Sequence, residues 1–398
     1  MALSVLVADK LSDTAIEELG SLGAKVVTKP ELKADDLPAA IGDAEILVVR
    51  STRVTRETIE AGDSLALIIR AGAGVNTIDI EAASERGVAV ANCPGKNTAA
   101  VAELAIGLML AADRRIPAAT QDLVEGHWRK KEYSSARGLM GRTIGIVGLG
   151  AIGQAVAVRA HALEMHVCAW SRSLTPERAE ELGVEYFATP EELAACSDVV
   201  SVHLASTPET AGLIGAEFFG AMREGSIFVN TSRGEVVDQA ALGEAVATRG
   251  IKVALDVYAP EPAGAEAPFG DADFASALAA ATPHIGASTS QASEAIAAEV
   301  VRIVRAYVET GTPINTVNVR ARAEEDVTLV VRHHNKVGVL AGVLDELRNE
   351  GINVEEMQNT IFSGGTTASC SLKLDRAPDS DHLKRIQRGE HVIQVNLK

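Results

Sequence analysis

Aromatic residues make up only 3% of this 398-residue chain, so its cores must be built mainly from aliphatic side chains. The four cysteines, Cys93, Cys168, Cys196 and Cys370, form no C-x-x-C pair and no disulfide-framework spacing. Reduced, structural thiols in a cytoplasmic protein are expected, with no metal site. Positive charge is in deficit: a formal net charge of -17 argues against nucleic acid or an anionic membrane as the main partner. An anionic small molecule would need a local basic pocket. The N-terminal MALSVLVADKLSD lacks the basic start, apolar run and cleavage site of a secretory signal. The longest apolar stretch, Ala99 to Ala112, is interrupted by Glu103 and is too short to span a bilayer, so it reads as a buried core helix. What is present, 47% hydrophobic and 23% charged residues, is the composition of a soluble, core-forming protein, and the length implies two or three domains.

Thr143 to Gly153, TIGIVGLGAIG, reads as a short apolar strand entering a tight turn, with Gly148, Gly150 and Gly153 in G-x-G-x-x-G spacing. Gly148 would allow the turn, Gly150 the approach of a pyrophosphate, and Gly153 close packing of the next helix. The helix opening at Ala151 and Ile152 would present free backbone N–H groups to that phosphate. A second strand, MHVCAWS, follows. At its end, where NAD-binding units place an acid for the ribose 2'-hydroxyl, stand Ser171 and Arg172, whose chemistry suits a 2'-phosphate. NAD and NADP both remain open as the cofactor.

Residues 1 to about 95 alternate apolar runs and helical segments, the pattern of a parallel, doubly wound sheet. Ligands in such sheets sit beyond the strands' carboxyl ends. The loop after Val49 carries Arg50, Ser51 and Arg53, with Arg56 expected to be a solvated charge, and the loop Ala71 to Val75 offers Ala73 and Gly74. Forked guanidinium bonds and backbone N–H groups suit a phosphate or carboxylate, so these residues, with Asn97 in the hinge-like NCPGKNT, are candidate substrate contacts. The cluster Arg129, Lys130 and Lys131 reads as a solvated surface. Three further strands, DVVSVHL, SIFVNTS and KVALDVY, run into His203, Thr231 to Arg233, and Asp256, and AAATPHIG brings His284. On one sheet these ends converge where the glycine turn would place a dinucleotide.

Over residues 1 to about 318 the chain resembles the D-isomer-specific 2-hydroxyacid dehydrogenases, on the motifs GLGAIG, HLASTPETAGLI, NTSRGEVVDQAAL, ALDVYAPEP and TPHIGAST in order. The resemblance implies that Arg233, Glu261 and His284 form the catalytic set. His284 would be the general base in oxidation and acid in reduction, oriented by Glu261, while Arg233 would hold the substrate carboxylate. It also implies cofactor contacts at Asp256 by the nicotinamide, His203 by the adenosine, and Thr207, Thr231 and Gly286. Ala205 departs from the family's H-x-P motif, and Ser171 from its acid.

Beyond a charged linker, RARAEED, the order of expected elements is βαββαβ, ferredoxin-like. Residues 326–398 resemble an ACT module, which implies amino-acid binding at an interface between two copies. His333, Asn335 and Asn353 fall in positions that hold L-serine, with Val337 where proline is common. The expected fold is therefore α/β: two doubly wound Rossmann-like domains, 1–97 with 287–318 and 98–286, plus the ACT domain 326–398. The resemblance and the basic loop imply oxidation of 3-phospho-D-glycerate to 3-phosphohydroxypyruvate on the way to L-serine, by a homodimer or homotetramer. An NADPH-dependent glyoxylate or hydroxypyruvate reductase and a catalytically silent dinucleotide sensor are the alternatives.

Overall fold

A computed structural model describes residues 3–262, 267–270, 272–319 and 327–398; the expected linker, 320–326, lies outside them. The chain divides into two compact units, Met1–Asn318 and Val319–Lys398.

The first unit holds two parallel sheets. Strands β1 (Ser4–Val7), β2 (Lys25–Thr28), β3 (Ile46–Val49), β4 (Leu67–Arg70) and β5 (Ala89–Asn92) form one, in the order β2-β1-β3-β4-β5. β1, β3 and the first three residues of β4 are buried throughout, as strands covered on both faces must be, which is why they read as unbroken apolar runs. Helix Ser290–Thr310 covers one face, seating Ile296, Val300, Ile303 and Val304 against Val5, Val48 and Ile69. The second sheet contains β6 (Thr143–Val147), β7 (His166–Trp170), β8 (Glu185–Tyr186), β9 (Val199–Val202), β10 (Ile227–Asn230), β11 (Lys252–Leu255) and β12 (Ala280–Ala281), ordered β12-β11-β10-β9-β6-β7-β8. The direction of winding changes at β6, so the switch point where such sheets bind ligands falls at the glycine turn.

The apolar stretch expected as a core helix is the helix Thr98–Arg114, which packs Ala102, Ala105, Leu108 and Met109 under this second sheet. Its buried Asp113 accepts a 2.9 Å bond from the buried Arg142 guanidinium just before β6, pinning helix to sheet. The helix Ile116–Val124, which follows, buries none of its residues. Two short strands, β8 and β12, and this helix are additions to the elements expected from sequence.

The second unit is a four-stranded antiparallel sheet of β13 (Val327–His334), β14 (Val354–Ile361), β15 (Thr367–Leu374) and β16 (Val392–Leu397), ordered β14-β15-β13-β16. Helices Val339–Glu350 and Ser380–Gln387 complete the βαββαβ order, and Val343, Leu347 and Ile386 form its core with Leu329, Val331 and Leu372. The four cysteines are all free, three of them buried. No described helix is long and apolar enough to cross a membrane.

Candidate active site

The glycine turn has the geometry its sequence requires. Gly148 has φ +97, and a Cβ there would stand 2.6 Å from the His203 carbonyl oxygen. A Cβ on Gly153 would stand 2.1 Å from the Gly148 oxygen, whereas Gly150 faces open space. Helix Ala151–Ala162 begins at Gly150 with no side chain capping it, leaving its first N–H groups available to an anion. Ser171 and the exposed Arg172 follow β7 as expected. Around this cradle two buried polar atoms have no partner among the described residues: His203 Nδ1 and Thr231 Oγ1. The His203 Nε2 lies 2.8 Å from Ser201 Oγ, and burial pulls its pKa down to about 4, so the ring is neutral. An open phosphate cradle with orphaned polar atoms beside it fits a dinucleotide. Thr207 belongs to a turn fixed by the 2.9 Å bond from its N–H to Thr210 Oγ1.

Past the ends of β10 and β11 lies the expected trio. His284 Nδ1 is 2.7 Å from Glu261 Oε2. Glu261 also accepts from the Tyr258 N–H at 3.3 Å. Partial burial pushes the Glu261 carboxyl up, but His284, the Tyr258 N–H and the Arg233 charge together outweigh it and hold the group below its ordinary value. An ionised carboxylate only accepts, so it draws the ring proton to Nδ1 and leaves Nε2 bare in the neutral imidazole. His284 has φ +52, a left-handed backbone uncommon outside glycine, and its loop is clamped from below. Asp256, fully buried, accepts from Thr282 Oγ1 at 2.7 Å, the Ile285 N–H at 2.8 Å and the Gly286 N–H at 2.9 Å. Burial raises its pKa against those bonds. The Gly286 N–H and three of the four Asp256 lone-pair positions therefore hold the histidine loop, and one Oδ2 position is left for any other donor.

Arg233 donates to the Ser232 carbonyl at 2.6 Å, in a turn that Asn230 fixes through bonds to the Ser232 N–H, the Ser232 hydroxyl and the Arg233 carbonyl. Its guanidinium reaches across to the first sheet: a Cβ on Gly74 would stand 2.5 Å from Nη2. Ala73 presents a carbonyl that Asn92 Nδ2 binds at 2.5 Å. Asn97 opens the long helix without a side-chain cap bond.

One residue here escaped the sequence reading. Arg70, the last residue of β4, is largely buried, and its Nε has no partner among the described residues. Burial first, then the nearby charges of Arg233 and Arg50, depress its pKa. Three guanidiniums thus lie near enough to repel one another, an arrangement that an anion between them would relieve. Arg53 is exposed, and Ser51 gives both its N–H and its hydroxyl to Asp9. Arg56 pairs with Glu85 at 2.5 Å on the surface, as its sequence context suggested. Arg129, Lys130 and Lys131 are likewise exposed.

In the second unit the expected effector residues do not meet. Strand alternation puts His333 on the inward face with Leu329 and Val331, where it is buried with Nδ1 2.8 Å from the His334 carbonyl and Nε2 3.2 Å from Asn359 Oδ1. Asn335 is exposed and donates to the Gly365 carbonyl. Asn353 precedes β14 beside the Val354–Leu374 pair, whereas His333 pairs with Ala368. That is about six residues of strand, roughly 20 Å. One copy of the chain does not bring these three side chains together, so the expected set would have to be completed across two copies.

Residues 106–286 match the model of the D-isomer specific 2-hydroxyacid dehydrogenase NAD binding domain. A hydroxypyruvate reductase of Thermotoga maritima is 41% identical over 300 residues, 75% of this chain and 95% of its own length. The chain belongs to the D-isomer-specific 2-hydroxyacid dehydrogenases. A D-3-phosphoglycerate dehydrogenase of Mycobacterium tuberculosis is 40% identical over 348 residues, 86% of this chain; the match spans 64% of that relative's length. Among solved structures, the NAD+-bound 3-phosphoglycerate dehydrogenase of Entamoeba histolytica is similar with a TM-score of 0.67 and 28% identity, over 80% of this chain and 99% of that one. The matched segment, that family's NAD binding domain, contains the glycine turn Gly148 to Gly153.

Proposed function

We propose that the chain is a D-3-phosphoglycerate dehydrogenase, oxidising C2 of 3-phospho-D-glycerate to 3-phosphohydroxypyruvate. The observation that carries this reading is the gathering of Arg50, Arg70 and Arg233 beside the His284–Glu261 pair. One guanidinium is enough for a substrate carboxylate; two more, one of them buried with an unpaired Nε, suit a phosphate of nearly two negative charges. The named M. tuberculosis and E. histolytica relatives support the same substrate.

A dinucleotide held by its pyrophosphate at the glycine turn would supply the hydride acceptor, its nicotinamide. Arg233 would fix the substrate carboxylate and stabilise negative charge growing on the C2 oxygen. His284 Nε2 would take the hydroxyl proton as the C2 hydride departs, and Glu261 would stabilise the imidazolium so formed. In reduction the same imidazolium returns the proton. The half-buried, neutral His203 and the buried Thr231 would line the dinucleotide rather than move protons.

A specific observation favours a second reading, an NADPH-dependent glyoxylate or hydroxypyruvate reductase: Ser171 and Arg172 stand where an acid would select NAD. The T. maritima relative is in keeping with it. Steady-state assay of the full chain separates the two. The proposal expects 3-phosphoglycerate-dependent formation of reduced NAD; turnover of glyoxylate and hydroxypyruvate with NADPH, and none of 3-phosphoglycerate with either cofactor, would replace it with the second.

The Val319–Lys398 unit is proposed to act as an ACT module, with its effector held between two copies, since one copy separates His333 from Asn353. The exposed Ile116, Leu123, Val124 and Trp128 around helix Ile116–Val124 offer a further face for self-association, consistent with a cytoplasmic homodimer or homotetramer.

A further inference from the structure

The loop that carries Arg50 begins where β3 ends, so the sheet no longer holds its backbone. Something else does. β1 and β3 are parallel neighbours, with Val7 beside Val48, so the chain leaving β1 runs to the same edge. There Asp9 turns its carboxylate under the loop. Oδ2 accepts the N–H groups of Arg50 at 2.7 Å, Ser51 at 3.1 Å and Thr52 at 3.0 Å, and Oδ1 accepts the Ser51 hydroxyl at 3.2 Å. Three consecutive N–H groups thus converge on one carboxylate oxygen, which fixes the course of the backbone there. Thr52 Oγ1 adds a longer bond, 3.4 Å, to the Leu32 carbonyl.

We propose that Asp9 is a positioning residue for the anion end of the active site: its carboxylate shapes the Arg50–Thr52 backbone and so aims the Arg50 guanidinium at the place Arg70 and Arg233 also face. This rests on the substrate reading above for the identity of the anion, but not for the loop geometry. Asp9 touches no reacting atom in this scheme. Its loss therefore acts on binding of the anionic substrate, leaving the His284–Glu261 chemistry and the cofactor cradle as they are. Asparagine in its place keeps one acceptor oxygen for the three N–H groups, while its NH2 can donate to the Ser51 hydroxyl in place of the bond Oδ1 accepts, so it separates geometry from charge.

The test uses the full-length wild type, Asp9→Ala and Asp9→Asn, assayed with 3-phosphoglycerate and NAD and by backbone amide hydrogen exchange. In Asp9→Ala the KM for 3-phosphoglycerate is expected to rise at least tenfold, with kcat within about threefold and the KM for NAD unchanged. The amides of residues 50–52 lose protection in the same variant. Asp9→Asn should recover most of both. An unchanged substrate KM in Asp9→Ala, or an Asp9→Asn variant as defective as Asp9→Ala, overturns the positioning role. If the wild type itself does not oxidise 3-phosphoglycerate, the substrate assignment fails and exchange alone decides: undiminished protection at 50–52 in Asp9→Ala overturns the role of Asp9, and its selective loss upholds it.

Discussion

The His284 imidazole can accept a substrate proton only if Nε2 is bare, and the 2.7 Å contact between Nδ1 and Glu261 is what makes it so. His284→Asn should lower kcat by about 10²- to 10⁴-fold while leaving dinucleotide affinity, read by fluorescence titration, near that of the wild type. A variant with near-normal turnover would remove His284 from the chemistry. Arg70 is tested by the opposite pattern. Arg70→Met should raise the KM for 3-phosphoglycerate by about 10- to 100-fold, the worth of a charge-assisted bond, with a smaller effect on kcat. Arg233, Glu261 and His284 were legible because each stands in a motif. Arg70 was not, because it closes an apolar strand and reads there as the strand's polar end; only the spatial approach of Arg50 and Arg233 gives it a role. The Asp9 bonds were hidden for the same reason, being made across 41 residues of sequence.

The segments that carry these side chains depend on a few tight junctions. Gly153→Ala would push helix Ala151–Ala162 away from β6, since its Cβ meets the Gly148 oxygen, and cofactor affinity should fall by tenfold or more in a binding titration. Near the crossing between the sheets, Glu299 on helix Ser290–Thr310 is buried yet bonded to Lys96 at 3.1 Å, to Asn315 at 2.6 Å and to Arg302. The Arg302 bonds lead, with Lys96 and Asn315 adding to them against burial, in holding its pKa down to about 2. A carboxylate with a depressed folded pKa stabilises the fold above its ordinary pKa and loses that contribution as pH falls towards the folded value. Glu299→Gln should therefore lower the thermal midpoint clearly at pH 7, and the gap to wild type should shrink as pH drops from about 5 towards 2. A gap that does not change with pH would mean that the charge is irrelevant. Most of these elements followed from apolar periodicity and turn chemistry. The helix Ile116–Val124 did not, because none of its residues is buried and no core-facing stripe sets it apart from the long helix before it.

The two compact units have separate parts in this scheme. Every group assigned to hydride transfer lies within Met1–Asn318, so a chain ending at Asn318 should keep kcat/KM for 3-phosphoglycerate within a few-fold. If L-serine inhibits the full chain, the shortened one should not respond; inhibition that survives the truncation would place the effector site elsewhere. The βαββαβ order of the second unit was plain in its sequence; what the sequence does not show is that strand alternation turns His333 inward and that register carries Asn353 to the other end of the sheet, so that one copy alone does not hold the set. For the first unit, the most direct measurement is the ratio of kcat/KM for 3-phospho-D-glycerate to that for D-glycerate, taken on the full-length wild type with NAD. Two arginines committed to a phosphate imply a ratio of about 10² or more; a ratio near one would show that no phosphate is recognised and that the arginine cluster serves another purpose.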